Sequence, residues 1–302
     1  MGLLKNILKN AIGIDDKFTK MIYARDNGEV WAQEMLASMF HRNEPDLIER
    51  IKAARRKLYA QDAENGNPKA MYYYGISALD FNTFMRMLEP LANKGDIDAI
   101  TAISNEYYMG NIVAINEEEG FKWCLKAAQL GDVWSQNQVA LAYTSNNGSG
   151  ANDYDKAFEW YSAAARQGSC SGYCGMGKCY DYWQMKLYRN GYDPSMDQKI
   201  LEYDQKMIDC YEKASNFIKN NDEEVEALYG LARSYQSAGD HVPDQDTALQ
   251  MKKLAVFYYY AAYDSGYPYG MKYAKEIAEN ENIYVDFNDV IGWAQKEGIV
   301  DK

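Results

Sequence analysis

Histidine is scarce in this sequence of 302 residues, where only His41 and His241 occur. A hydrolytic triad and a paired-histidine zinc site both need histidine at set positions, and no such arrangement is present. No Gly-rich phosphate-binding motif and no nucleophile elbow occurs either. The sequence therefore predicts a protein that is not an enzyme and that uses no cofactor.

Cysteine is also sparse, and its distribution does not favour metal binding. Three cysteines are close together in the sequence, but no fourth cysteine or nearby histidine completes a tetrahedral zinc site. An odd number of cysteines in a chain without a secretory signal favours free thiols. We therefore predict no metal and five structural thiols, at Cys124, Cys170, Cys174, Cys179 and Cys210.

Long apolar runs are absent, since no stretch approaches the ~20 apolar residues that cross a bilayer. The first apolar residues are interrupted by Lys5 and Lys9, so the pattern lacks a secretory signal and predicts a cytoplasmic protein. With only two lysines beside it, this segment does not favour binding to a membrane surface. It predicts instead a helix that caps the helices after it, through Leu3, Leu4, Ile7, Leu8 and Ala11.

Basic residues are outnumbered, with 32 lysines and arginines against 44 aspartates and glutamates, which gives a net charge of −12. A nucleic-acid-binding protein normally carries a basic stripe, and the sequence contains no such run. We therefore predict no nucleic-acid partner. The acidity is commonly a matter of solubility, but it also suits a basic protein partner.

Internal repetition is what the sequence has in abundance. A short helix-breaking segment recurs, each time with a glycine that can close a helix in the left-handed conformation. In four copies the next residue is Asn, Asp or Ser, which can accept hydrogen bonds from the first amides of a new helix. Each segment therefore predicts a tight corner between two helices. The glycines are Gly28, Gly66, Gly95, Gly131, Gly168 and Gly266.

A second pattern follows these corners. A small residue is followed by a large apolar residue four positions on, a small residue five positions on and usually an aromatic residue eight positions on. These offsets lie on one face of a helix, and small residues allow a neighbouring backbone to approach closely, so we predict that these positions are core. The copies begin at Ala32, Ala70, Ala99, Ser135, Gly172, Ala227 and Gly270.

A different helix follows these first helices, and in several copies aromatic residues and an Ala-Ala pair come before the next glycine, as in Trp160-Tyr161, Ala164-Ala165 and Gly168. Together the two helices resemble the Sel1-like repeat, a relative of the tetratricopeptide repeat. Residues 135–168 match its pattern nearly throughout, and residues 99–131 match well. The resemblance implies an all-α fold, an α/α superhelical solenoid of tandem Sel1-like helix-turn-helix repeats.

The spacing of the repeats predicts the domain organisation. We expect capping helices over residues 1–28, a single array of about seven repeats over residues 29–298 and a tail over residues 299–302. An insertion is expected near residues 182–199, where Asn190-Gly191 signals a turn, and a long loop at residues 237–246. Long insertions often carry function, although a plain spacer is the commoner explanation.

The resemblance also implies that the first helices line a concave surface that holds a protein or peptide. Exposed positions are expected one residue before each small anchor and two, six and nine residues after it. Aromatic residues and arginine are enriched at binding surfaces, but the same aromatics can pack between repeats. The predicted partner-binding residues are Trp31, Glu34, His41, Tyr72, Asp98, Asn105, Tyr108, Trp134, Asn137, Lys178, Asp181, Tyr229, Arg233 and Gln236.

Three functions remain open from the sequence. The first is a non-enzymatic scaffold or adaptor that binds a partner protein or peptide on the concave surface. The second is an immunity or inhibitor protein that neutralises a cognate toxin or enzyme, for which an acidic surface would suit a basic target. The third is an enzyme, which no motif supports. We prefer the first hypothesis.

Replacing Trp134 and Tyr108 by alanine is expected to weaken partner binding without unfolding the array, because both positions are predicted to face the partner. A pull-down with the partner, accompanied by circular dichroism, would measure this effect. Undiminished binding by a variant that keeps its helical signal would contradict the prediction.

Overall fold

The computed structural model describes residues 17–41, 46–145 and 152–300, and these residues form α-helices without any strand. The predicted capping stripe at residues 3–11 lies outside the described residues. By internal contacts the chain divides into an amino-terminal unit that ends at Leu130 and a carboxy-terminal unit that begins at Gly131. The single array predicted over residues 29–298 stays a prediction.

Helices of the amino-terminal unit alternate between first and second helices of successive hairpins. After a single helix, α1, the even-numbered helices are first helices and the odd-numbered helices are second helices. They are α1 (Lys17–Asp26), α2 (Val30–His41), α3 (Leu47–Glu64), α4 (Pro68–Gly75), α5 (Phe81–Ala92), α6 (Ile97–Met109) and α7 (Glu117–Gln129).

The carboxy-terminal unit continues the same alternation of first and second helices. Its helices are α8 (Val133–Thr144), α9 (Tyr154–Ala165), α10 (Cys170–Arg189), α11 (Asp197–Ser215), α12 (Asn221–His241), α13 (Gln245–Asp264), α14 (Gly270–Asn280) and α15 (Val290–Lys296), with a short 3₁₀ turn at Pro194–Met196 before α11. Among the described helices, none combines the length and apolar character needed to cross a bilayer.

The predicted corners are present at all six glycines. Their φ angles range from 78° at Gly168 to 110° at Gly266, the left-handed region that glycine enters without strain. At four of the six corners the following polar residue caps the next helix, as where the Asp132 carboxylate accepts a hydrogen bond of 2.7 Å from the Ser135 amide. Only three to five residues therefore separate the end of one helix from the start of the next.

The small anchor positions are buried, as predicted, in the described first helices. At Ser104 on α6 the backbone of α7 comes close, because the Ser104 hydroxyl donates a hydrogen bond of 2.8 Å to the carbonyl oxygen of Gly120 on α7. The first copy departs from the prediction, because Ala37 and Phe40 on α2 are exposed. This helix packs on α1 and α3 through Leu36 and Met39 instead, which turns Ala37 and Phe40 towards a surface groove.

The two predicted insertions are largely helical. Helix α10 continues to Arg189, and Gly191, with a φ of 96°, then forms the turn that the sequence signals. The prediction of a loop at residues 237–246 is wrong, because α12 continues to His241 and only residues 242–244 connect it to α13. Extra residues therefore lengthen the helices of these hairpins, which adds backbone hydrogen bonds that a loop would lack.

Replacing Gly172 by alanine is expected to destabilise the carboxy-terminal unit by about 1–3 kcal/mol, because overpacking has costs of this size. A Cβ atom at Gly172 would lie 2.7 Å from the Ala165 amide nitrogen and 3.0 Å from the Tyr161 carbonyl oxygen, so a backbone must move. Unfolding in urea, followed by circular dichroism, measures the difference.

The control for this prediction is Ser171→Ala on the same helix, where a half-buried side chain is shortened without a clash. Its free energy of unfolding should change by no more than about 0.5 kcal/mol. Equal stability of Gly172→Ala and the control would mean that α9 and α10 do not depend on this close approach.

Candidate functional site

A cavity with a volume of about 240 Å³ lies in the carboxy-terminal unit between the first helices α10 and α12. Met207 and Tyr211 of the second helix α11 also line it. Four residues predicted from the sequence meet here, namely Lys178 and Asp181 on α10 with Tyr229 and Arg233 on α12. All four come from the offsets that predict the exposed face of a first helix.

Helical spacing explains why these side chains converge. On α10 the lining residues fall at positions 178, 181, 184, 185 and 188, and on α12 at positions 226, 229, 230, 233, 234 and 237. Residues three and four positions apart share one face of a helix, so each helix turns one continuous face towards the cavity.

Two ion pairs join α10 and α12 at the rim of the cavity. The Lys178 ammonium lies 2.5 Å from a carboxylate oxygen of Glu226. The Arg233 guanidinium donates two hydrogen bonds, of 3.1 and 3.2 Å, to the two carboxylate oxygens of Asp181. Because these side chains are partly exposed, each pair adds little to stability. They fix charged groups in position around an opening that solvent can reach.

Below the rim, a buried polar network connects the three helices. The side-chain amide of Gln184 donates a hydrogen bond of 2.7 Å to Asp204 Oδ1 on α11, and the same nitrogen lies 3.3 Å from the Ser237 hydroxyl on α12. Asp204 is fully buried, and its Oδ2 accepts no hydrogen bond from any described residue. A carboxylate in such a place is costly unless its surroundings stabilise the charge.

Burial raises the pKa of Asp204 to about 6, because a low-dielectric environment disfavours the charged form. The side chains of Gln184, Ser237 and His241 favour the carboxylate and oppose this effect only in part, while Asp181 adds to it. Asp204 therefore changes its charge close to neutral pH, unlike an ordinary surface aspartate.

A tyrosine–histidine pair closes the far end of the cavity. The Tyr188 hydroxyl and His241 Nε2 lie 2.7 Å apart, and His241 Nδ1 lies 2.8 Å from the Ser237 carbonyl oxygen. A carbonyl can only accept, so Nδ1 carries a proton, and Nε2 shares a hydrogen bond with the Tyr188 hydroxyl. Burial raises the pKa of Tyr188 to about 12, which keeps its hydroxyl protonated.

Tyr211 forms the apolar floor of the cavity and explains why α10 and α12 each have a glycine beside it. A Cβ atom at Gly177 on α10 would lie 2.7 Å from its ring, and one at Gly230 on α12 would lie 2.3 Å from it. Any larger residue at either position would collide with the tyrosine. The glycines therefore allow α10 and α12 to stand close on either side of the Tyr211 ring.

A second, shallower surface lies in the amino-terminal unit. The groove has a volume of about 640 Å³, and two predicted residues, Tyr72 and Asp98, line it together with the exposed ring of Phe40. Arg55 also lines it, but this guanidinium is bound at 3.0 and 2.6 Å by the two carboxylate oxygens of the buried Asp26. Its charge is thus already neutralised within the fold.

The other predicted residues line neither surface. Trp31 and Trp134 are 50% and 45% exposed, which fits a contact role that stays a prediction. Tyr108 is half-buried, with its ring 3.0 Å from where a Cβ of Gly120 would stand, so replacing it also removes packing. The remaining members are Glu34, His41 and Asn105, which are exposed, and Asn137 and Gln236, whose side chains hydrogen-bond Ser169 and Tyr259.

The deeper part of the cavity does not follow from the sequence pattern. Gln184, Met185 and Tyr188 lie in the predicted insertion, and Ser237 lies in the predicted loop. Asp204 lies on a second helix, where the repeat pattern predicts no binding face. A signal was present, since Asp204 falls in the apolar stripe of Ile200, Met207 and Tyr211, which predicts burial for any residue on that face.

Within the described part of the chain, no cluster of three or more histidine, cysteine, aspartate or glutamate side chains is placed to hold a metal ion. The five cysteines, all of them within the described ranges, are buried free thiols.

Residues 97–132 and 135–169 match the family model described as the Sel1 repeat. These ranges correspond to the hairpins α6–α7 and α8–α9. The resemblance inferred from the sequence is therefore confirmed for these residues, and so is the all-α fold of tandem helix-turn-helix repeats. No protein with a curated description matches the chain in sequence.

The solved structures that are similar to the chain include a Sel1 repeat protein from Oxalobacter formigenes. Its identity is 20% and its TM-score 0.48, and the alignment covers 82% of this chain and 98% of that one. They also include a protective antigen present in uropathogenic Escherichia coli strains and displaying an SLR fold. Its identity is 16% and its TM-score 0.41, with 90% of this chain and 65% of that one covered.

Asp204→Asn is expected to remove a pH dependence of stability. Because the pKa of Asp204 is raised from 3.8 to about 6, the folded chain keeps this proton between these values while the unfolded chain releases it. The protonated acid thus favours folding, and its contribution, about 3 kcal/mol at most, is lost as pH rises through this window. Asparagine has no proton to release there.

Urea unfolding at pH 4.0 and pH 7.5 measures this effect in both proteins. The natural protein should lose more stability than the Asp204→Asn variant between the two pH values, and groups common to both cancel in the comparison. The same loss in both proteins would show that Asp204 does not titrate in this range.

Proposed function

From the Sel1 repeats of this chain, we propose that the protein is a non-enzymatic scaffold or adaptor and that it binds a partner protein or peptide along α10 and α12. Sel1 repeats generally occur in protein-interaction scaffolds and are typically non-catalytic. One observation carries the proposal for this chain: four residues that the repeat pattern predicts to face a partner surround one open cavity between two first helices.

The composition of the cavity supports a protein partner. Tyr188 and Tyr229 offer rigid rings, and Arg233 offers a guanidinium held in place by Asp181. Such residues contribute much of the binding energy at protein interfaces, because they present a large contact area with little conformational entropy to lose. The charged rim and apolar floor follow the usual arrangement of a polar border around a less polar centre.

Met185→Arg tests the proposal by obstructing the cavity. Met185 lines the cavity and is 39% exposed, so a larger charged side chain can be accommodated without unfolding the helix. Tagged protein would be used to capture partners from the cells that produce it, with mass spectrometry to identify them. We expect at least one specific partner, with its yield reduced at least tenfold by Met185→Arg.

The matched control is Leu249→Arg on α13, where an apolar residue of nearly the same exposure, 38%, does not line the cavity. This variant should capture the same partner as the natural protein does. Equal capture by all three proteins would place the binding surface elsewhere. The absence of any specific partner would count against a scaffold.

A further inference from the structure

We infer that the cavity between α10 and α12 binds the cationic side chain of an arginine or a lysine from the partner. This inference rests on the proposed function and adds the chemistry that the partner presents. The volume of about 240 Å³ is below the ~300–1,000 Å³ of ordinary small-molecule sites, so the space suits one long side chain.

The walls suit a side chain with an apolar stem and a charged end. Met185 and Met207 are flexible and adapt to an aliphatic chain. The rings of Tyr188, Tyr211 and Tyr229 surround the same space, and the face of an aromatic ring attracts a cation. Lysine and arginine both combine a stem of methylene groups with a cationic end, whereas glutamate and aspartate would bring charge of the wrong sign to these rings.

The balance of charge also favours a cation. At the rim, Lys178 is paired with Glu226 and Arg233 with Asp181, so these four charges cancel. Asp204 remains as an additional negative charge beneath the lining, where no described lysine or arginine pairs with it. An anion in the cavity would be repelled by this carboxylate across a medium of low dielectric constant, whereas a cation would be attracted.

Gln184 connects the interior of the cavity with the Asp204 carboxylate. Gln184 lines the cavity and also donates a hydrogen bond to Asp204, so a cation at the floor stands one side chain away from the carboxylate. The Ser237 hydroxyl, which also lines the cavity, adds an oxygen that can accept a hydrogen bond. Because Oδ2 of Asp204 accepts no hydrogen bond from a described residue, the negative charge of this carboxylate is only partly offset within the described structure.

The test uses blocked amino acids as probes for a side chain of the partner. Nα-acetyl-arginine methylamide and the lysine equivalent carry the charge, and Nα-acetyl-citrulline methylamide has the shape of arginine without it. Binding is followed by NMR through the Ser237 backbone amide and the Gln184 side-chain amide. We expect the two cations to bind at least tenfold more tightly than citrulline, with shifts concentrated at these two groups.

Variants and pH then identify Asp204 as the source of the preference. Asp204→Asn should weaken arginine binding at least threefold at pH 7.5, whereas Asp209→Asn, an exposed aspartate on the same helix, should leave it unchanged. In the natural protein, binding should strengthen from pH 5 to pH 7.5 as Asp204 ionises. Asp181 and Tyr188 on α10 and His241 on α12 also face Asp204. The Asp204→Asn variant retains these three groups, so a pH dependence of binding that comes from them should persist in the variant.

Equally tight binding of citrulline and arginine would overturn the inference, as would the absence of shifts at Ser237 and Gln184 with either cation. So would arginine binding that Asp204→Asn leaves unaltered. These failures are distinct from a failure of the proposed function, because the capture experiment with Met185→Arg can still find a partner that occupies the cavity by other means.

Discussion

The ring of Tyr211 occupies the space beside two glycine α-carbons, one on α10 and one on α12. Because Gly177 and Gly230 have no side chains, α10 and α12 lie close enough to share one aromatic residue of α11 as a floor. The ion pairs at the rim join the same two helices, since the side chains that make them reach across from one helix to the other. The Tyr211 contact and the two ion pairs therefore depend on the same separation between α10 and α12.

The buried carboxylate of Asp204, beneath the cavity, does not favour the stability of the fold. A fully buried carboxylate with one oxygen uncompensated by the described residues is costly, and an apolar residue of similar size in its place would remove the cost. Buried polar groups with this character are commoner at functional sites than in cores that serve packing alone. The position of Asp204 under the cavity, between Gln184 and Ser237, agrees with that tendency.

Much of the fold was predictable from the sequence, because the repeat pattern and corner glycines depend on local backbone geometry. Gly28, Gly131 and the others have the left-handed conformation that a corner requires, and at four of the six corners a capping residue follows in sequence. The site was predictable only in its outer part. Lys178 and Arg233 follow from the repeat offsets, but Ser237 lies in a segment predicted to be a loop, whereas α12 continues to His241. The partnership of Gln184 with Asp204 depends on tertiary packing, which no local pattern contains.

The first helices of the cavity are unusually long, with 20 residues in α10 and 21 in α12 against 12 in α8. The additional turns carry Gln184, Tyr188, Ser237 and His241, and hence the inner half of the cavity. Each residue added to a helix rotates the following side chains by about 100°, so an insertion of one residue would turn this half away from its partners. Insertions or deletions that keep the cavity intact must therefore add or remove whole helical turns, about three to four residues each, and must do so in both α10 and α12. Relatives that differ here should accordingly differ in the depth of the cavity, with its outer rim unchanged.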